Sequence, residues 1–187
     1  MIRLKDAPPI SELKNVILGE GDYLRLVKRG HWEYVERTNC SGIVVVLAVT
    51  DEGKLILIEQ TRLSVRRPVI EFPAGLIGDK RHLRKENFLK AARRELEEET
   101  GFRAARIRKI TQGPVSSGSS SDQMIVCRAD RLRRVSLGGG DKYENIIVHE
   151  VPLRNVEAWL DKVRQKGCLV DPKVYMGLYF LRKAKHG

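Results

Sequence analysis

The chain has 187 residues, of which 42% are apolar and 32% charged, and its 35 Lys and Arg outnumber 24 Asp and Glu for a formal net charge of +11. That length suits one domain with a core of its own, and the apolar fraction excludes a disordered chain. No apolar run reaches the roughly 18 residues of a bilayer span, and the first residues lack the apolar centre of a secretory signal, so a cytoplasmic protein with no membrane partner is expected.

In chain order, residues 14–18, 23–28 and 32–38 read as short strands separated by Gly19, Gly21 and Gly30. They predict a small antiparallel appendage over residues 1–40, with the main domain over 41–187. Residues 43–50 are almost continuously apolar, Asp51-Glu52-Gly53 is a turn, and residues 54–60 complete a hairpin in the core sheet. Residues 86–100 contain no Gly or Pro and carry Phe88, Leu89, Ala92 and Leu96 at helical spacing, which predicts a helix capped by Gly101. Strands follow at 104–112, 124–129 and 146–151, then a helix at 156–165 and a last one starting at Asp171-Pro172, a capping residue before a first-turn proline. Strands on both sides of a helix, with helices at the end, give a mixed α/β (α+β) layered domain. Cys40, Cys127 and Cys168 are odd in number and far apart, so neither a disulfide framework nor a zinc site is expected.

The most informative stretch is Arg94-Glu95-Leu96-Glu97-Glu98-Glu99-Thr100-Gly101-Phe102. On a helix Glu95, Glu98 and Glu99 stand at i, i+3 and i+4 and share one face. Three carboxylates on one patch suit a hard divalent cation, Mg²⁺ or Mn²⁺, whose remaining positions go to water and phosphate oxygens. The competing reading is a solvated face in which Arg93/Glu97 and Arg94/Glu98 pair at i,i+4. Against it, acidic side chains near a helix C-terminus oppose the macrodipole unless a cation offsets them.

Residues further upstream favour the metal site. Glu86, Arg94, Glu95, Leu96, Glu98, Glu99, Gly101 and Phe102, preceded by Glu71-Phe72-Pro73-Ala74-Gly75, resemble the box of the Nudix hydrolase family: Gly, five residues, Glu, seven residues, Arg-Glu-apolar-any-Glu-Glu-any-Gly-apolar. The match is complete from Glu86 onward, and the chain departs at one place, with ten residues between Gly75 and Glu86 where the pattern has five. Residues 78–84 therefore read as a lengthened surface loop; with Gly78 as the box glycine instead, seven residues precede Glu86, again not five.

The resemblance implies a Nudix α/β/α sandwich and metal-dependent hydrolysis of a phosphoric anhydride. Glu95 and Glu99 are the expected principal ligands, Glu98 a further ligand or a base, and the backbone carbonyl of Ala74 an additional ligand implied by the family. Glu86 and Arg94 are expected to form a structural charge pair. Outside the box, the appendage, the Ser/Gly loop 114–122 and the segment Glu144-Asn145-Ile146-Ile147-Val148-His149-Glu150-Val151 are similar to ADP-ribose pyrophosphatases and related nucleoside-diphosphate-sugar hydrolases. Where those enzymes have a Pro-Gly segment, this chain has Ser117-Gly118.

That likeness implies a nucleoside diphosphate derivative as substrate, ADP-ribose first, and a homodimer in which the appendage is exchanged and Trp32 stacks on the base. Arg62, Arg66 and Arg67 precede the Glu-Phe-Pro-Ala-Gly turn and are the candidate phosphate-binding cations. Ser117 and Gly118 offer hydroxyl and amide groups to phosphate. The catalytic base falls to Glu144 or Asp141, since Lys142 stands where related enzymes place a glutamate, and Gly138-Gly139-Gly140 gives the preceding backbone freedom. His149 is expected to pack in its strand. The charge of +11 leaves open a more highly charged substrate, an RNA 5′ end or a diphosphoinositol polyphosphate, and a non-catalytic nucleotide-sugar sensor remains a further alternative.

Overall fold

The computed structural model describes residue 9, residues 12–140 and residues 144–183. The apolar stretches in the first part of the chain become β1 (Asn15–Glu20), β2 (Leu24–Arg29) and β3 (Trp32–Arg37), an antiparallel three-stranded sheet in the order β1-β2-β3. Val27 is buried, but Val16, Ile17, Leu18, Leu24 and Leu26 are exposed, so this small sheet does not close a core of its own.

β4 (Ile43–Val49) and β5 (Lys54–Arg62) form the expected hairpin, in which Thr50 N–H donates to the Lys54 carbonyl and Gly53 takes the left-handed conformation, φ +76°. β6 (Arg67–Glu71) and the short β7 (Ala74–Leu76) follow, both unforeseen from sequence. α1 (Phe88–Thr100) begins two residues later than expected, because Asn87 caps it by accepting from the Lys90 amide at 3.0 Å. Gly101, φ +72°, closes it with its amide on the Glu97 carbonyl. β8 (Phe102–Pro114), β9 (Gln123–Arg134), β10 (Ile147–Pro152), α2 (Val156–Gln165), β11 (Leu169–Val170) and α3 (Pro172–Lys183) complete the chain.

The main sheet runs β11-β6-β5-β4-β9-β8, with β10 also on β5 and β7 also on β4. It is mixed: β4 pairs with β9 in parallel, and β8 with β9 antiparallel. β4 is buried on both faces, and its side chains divide by the two-residue period of a strand. Val45 and Leu47 join Leu55, Leu57, Phe72, Leu160 and Leu178 beneath α2 and α3. Val44, Val46 and Ala48 join Ile77, Ala92 and Leu96 beneath α1. The result is the α/β/α sandwich with an N-terminal antiparallel sheet. Among the described residues, no helix is long and apolar enough to cross a membrane, and all three cysteines are free.

One contact sets how closely α3 can approach. A Cβ built on Gly177 would fall 2.2 Å from Phe72 Cε2, in the link between β6 and β7, and 2.8 Å from Leu47 Cδ2 of β4, both buried. Gly177→Ala should therefore destabilise the fold by about 1–3 kcal/mol, the usual range for overpacking a core. A denaturant midpoint equal to that of the unaltered protein would show that α3 can lift without cost.

Candidate active site

α1 turns its acidic face toward β7, and burial makes that face costly. Glu99 is 2% exposed and its Oε2 accepts from the Ala74 amide at 3.0 Å. Burial pushes Glu99 up to about 9, with the charges of Glu95 and Glu144 adding to it and the Ala74 amide and Arg62 opposing it. Glu95 rises to about 7, again through burial first, with Arg94 pulling it back. Backbone fits around this carboxylate closely: a Cβ on Gly75 would lie 1.9 Å from Glu95 Cδ. A glycine is thus required by side-chain approach at this position.

Arg94 organises the site. Its Nε and Nη2 donate to the two oxygens of Glu86 at 3.1 and 3.0 Å, and Nη2 also donates to the Leu76 carbonyl at 3.0 Å. The expected structural pair therefore ties the lengthened loop to α1. That loop holds a left-handed Gly78, φ +75°, and one turn of 3₁₀ helix at Arg81–Leu83 that hands over to Glu86 through a Leu83 carbonyl bond of 2.7 Å. Arg94 Nη1 also reaches Glu95 Oε1 at 2.7 Å and Glu98 Oε2 at 3.3 Å. Burial would lower the pKa of Arg94, and its bonds to Glu86 and Glu95 more than reverse this.

Among the described residues, no three acidic side chains close on one point, and Arg94 takes an oxygen each of Glu95 and Glu98. The donor set nevertheless fits a hard divalent cation. It is all oxygen, two of its carboxylates are buried against their own charge, and a cation is what relieves that charge.

A cavity of about 520 Å³ opens beside these groups, lined by residues from several parts of the chain, and Glu99 is not part of its lining. Glu95, Glu98, Ala74 and Gly75 contribute one wall, and Glu144 faces the same space. Arg62 enters as expected, with Nε on Glu71 Oε2 at 2.7 Å. Arg66 and Arg67 lie outside the lining: Arg66 sits in the β5–β6 turn with φ +53°, and Arg67 donates to the Gly167 carbonyl. Arg37, Lys80 and Lys173 also line the cavity, and sequence reasoning passed over all three. Asp141 lies outside the described residues.

Trp32 and Gly118 come together outside the lining of that cavity. The Trp32 indole N–H donates to the Gly118 carbonyl at 3.0 Å, and the indole is 51% exposed. Around them β3 binds the 115–122 loop through Val35 N–H on Ser119 O at 2.9 Å and Ser121 N–H on Val35 O at 3.0 Å. Arg37 Nε lies 3.3 Å from Asp122 Oδ2. The appendage is thereby fastened to the Ser/Gly loop expected to meet substrate. Ser117 is exposed on that loop. His149 packs in its strand, with Nε2 2.9 Å from Glu59 Oε2 and its ring on Trp159.

Comparison with known proteins shows the family and the fold. The NUDIX domain model matches residues 41–159. The chain is 42% identical over 91 residues to the ADP-ribose pyrophosphatase of Bacillus subtilis (strain 168), covering 49% of this chain and 46% of that protein. It is 32% identical over 97 residues to the ADP-ribose pyrophosphatase of Mycobacterium tuberculosis (strain ATCC 25618 / H37Rv), covering 50% and 44%. The matched segments thus span about half the length of these two relatives. A methanol dehydrogenase activator of Bacillus methanolicus is 26% identical over 142 residues, covering 75% of this chain and 72% of that protein. A solved structure described as an ADP compounds hydrolase superposes with a TM-score of 0.70 over 91% of both chains at 21% identity, which shows a shared fold.

Proposed function

With residues 41–159 of its 187 matched by the domain model, the chain belongs to the Nudix family, and we propose that it is a Mg²⁺-dependent hydrolase of nucleoside diphosphate derivatives. ADP-ribose is the leading substrate, cleaved to AMP and ribose 5-phosphate. The observation that carries this reading is one cavity walled by Glu95 and Glu98 and by the cations Arg37 and Arg62, with the buried Glu99 carboxylate bonded to the amide of its wall residue Ala74. The likeness to two ADP-ribose pyrophosphatases supports the choice of substrate.

Glu95 and Glu99, with Glu98 and the Ala74 carbonyl, would hold the ion. When bound, it neutralises charge on the phosphate oxygens and lowers the pKa of attacking water. Arg62, fixed by Glu71, and Arg37, fixed by Asp122, place their remaining donors toward the diphosphate. Glu144 takes the proton of the attacking water, a role supported by its place in the cavity wall and by its charge acting on Glu99. The water oxygen bonds to one phosphorus as the bridging P–O bond breaks, and the bridging oxygen leaves with the other phosphate.

Product release from nucleotide sugars, dinucleotides and capped RNA, with Mg²⁺ and with the ion chelated, tests the reading. AMP release from ADP-ribose that stops on chelation is the expected result. No release from any of these compounds would overturn it in favour of a sensor.

The exposed apolar side of the appendage supports a homodimer formed by a second copy of this chain. In the exchanged form, Trp32 of one subunit serves the acidic site of the other. Trp32→Ala should then raise KM for adenine-containing substrates by about tenfold or more, the scale of a lost base stack, while kcat changes little. Mixing Trp32→Ala subunits with Glu99→Gln subunits should create one site bearing both lesions and one bearing neither. A monomer by light scattering, or parental kinetics alone after mixing, would eliminate the exchange.

A further inference from the structure

Lys173 lies beyond residue 159, where the family's domain model ends, yet it lines the acidic cavity beside Arg62, Glu71 and Phe72. Three local features bring it there. β11 adds to β6 in parallel, Val170 against Ile70, and the Asp171 amide donates to the Ile70 carbonyl at 3.0 Å, so the chain enters α3 beside the strand that ends on Glu71. Asp171 then holds Lys173 twice: one carboxylate oxygen accepts from the Lys173 amide at 2.7 Å, and the other takes its ammonium. Gly177 stands one turn later on the same helical face. Its near-contact with Phe72 draws that face onto the sheet, and Phe72 is itself part of the cavity wall.

Resting on the function proposed above, we infer that Lys173 is a specificity-determining residue that donates to a phosphate oxygen of the substrate. It does so from the layer of α2 and α3, whereas the box helix α1 packs on the other face of the sheet. The chemistry is that of an anchored cation. A diphosphate entering a cavity walled by Glu95, Glu98 and Glu144 meets like charge, and two of the basic groups that offset it are themselves tethered, Arg62 by Glu71 and Lys173 by Asp171. An ammonium has three donors; Asp171 engages one and leaves two for phosphate oxygens. Tethering also reduces the side-chain freedom that a lysine loses on binding.

The test separates charge recognition from shape and from the general field of a basic protein. Lys173→Gln should raise KM for ADP-ribose about tenfold, the scale of one charge-assisted hydrogen bond, and leave kcat within about twofold. Its affinity for α,β-methylene-ADP, a diphosphate in which carbon replaces the bridging oxygen, should fall by the same factor in calorimetry, and its affinity for adenosine should not change. Lys173→Arg should recover most of the loss. Lys166→Gln, which removes an exposed lysine just past α2, should change none of these quantities. An unchanged KM in Lys173→Gln, an equal loss in Lys166→Gln, or an equal loss for adenosine would each overturn the assignment. If the unaltered protein neither cleaves ADP-ribose nor binds the methylene analogue, the proposed function fails and takes this inference with it. If it does both and Lys173→Gln matches it, the inference fails alone.

Discussion

Glu99→Gln is expected to lower Mg²⁺-dependent turnover by at least about a hundredfold, on the scale of losing one electrostatic partner of the reacting group, while the protein remains folded. Glu99 is 2% exposed and bonded to the Ala74 amide, a bond the amide oxygen of Gln can keep, whereas the negative charge needed by the ion is gone. Stability should change in a direction that depends on pH. With divalent ions chelated, burial holds Glu99 at about 9 against an ordinary value of 4.5, so the folded state keeps a proton that the unfolded chain releases. A carboxyl raised in this way contributes stability fully present below about pH 4.5 and lost as pH climbs through about 9. The substitution removes that dependence, leaving the smaller one from Glu95, which rises to about 7. Thermal midpoints in chelator should therefore fall less steeply between pH 5 and 9 in the variant. An equal slope, or near-normal turnover with Mg²⁺, would remove Glu99 from the site.

Gly75→Ala should give a protein that folds and needs far more Mg²⁺ to work. The added methyl would sit 1.9 Å from Glu95 Cδ and 2.0 Å from Oε1. Those atoms are the far end of a flexible side chain, so the collision is relieved by swinging the carboxylate away at a cost to stability of about 1 kcal/mol. The ion site bears the larger effect. Displacing one ligand should raise the Mg²⁺ concentration for half-maximal activity by about 10- to 100-fold, as loss of a supporting contact at a metal commonly does. Half-maximal activation at the original Mg²⁺ concentration would show that Glu95 is not a ligand or that it tolerates the displaced position.

Much of this architecture is legible in the residues themselves. β4 and β5 were readable because their side chains are apolar on both faces, and α1 because Ala92 and Leu96 recur at helical spacing beneath a charged surface. β6 and β7 were not, because Pro68 and Gly75 interrupt the usual strand signal and β7 is three residues long, held by pairing to Ile43, Val44 and Val45 rather than by its own propensity. The acidic wall was readable for the reason α1 was: i, i+3 and i+4 spacing is local. Arg62 could be anticipated from its neighbourhood, but Arg66 and Arg67 were grouped with it on sequence proximity, and the turn at Arg66 sends them elsewhere. Arg37, Lys80 and Lys173 reach the same cavity from three separate segments. Such convergence is a property of tertiary packing, and nothing in the local spacing of those residues announces it.

The parallel pairing of β4 with β9 also constrains how the molecule is made. Ile43 lies against Met124 and Ala48 against Ala129, so the central ladder joins strands separated by six other elements, including the 3₁₀ turn and the whole of α1 and β8. Ladder formation between such distant segments carries a large loop-closure cost and slows folding. By contrast, β8 and β9 are linked by a short connection and pair along most of their length, which favours them as an early nucleus. On the ribosome, β4 emerges long before its partner exists. Until then its apolar faces are exposed, and chaperone demand during synthesis should be set by that interval.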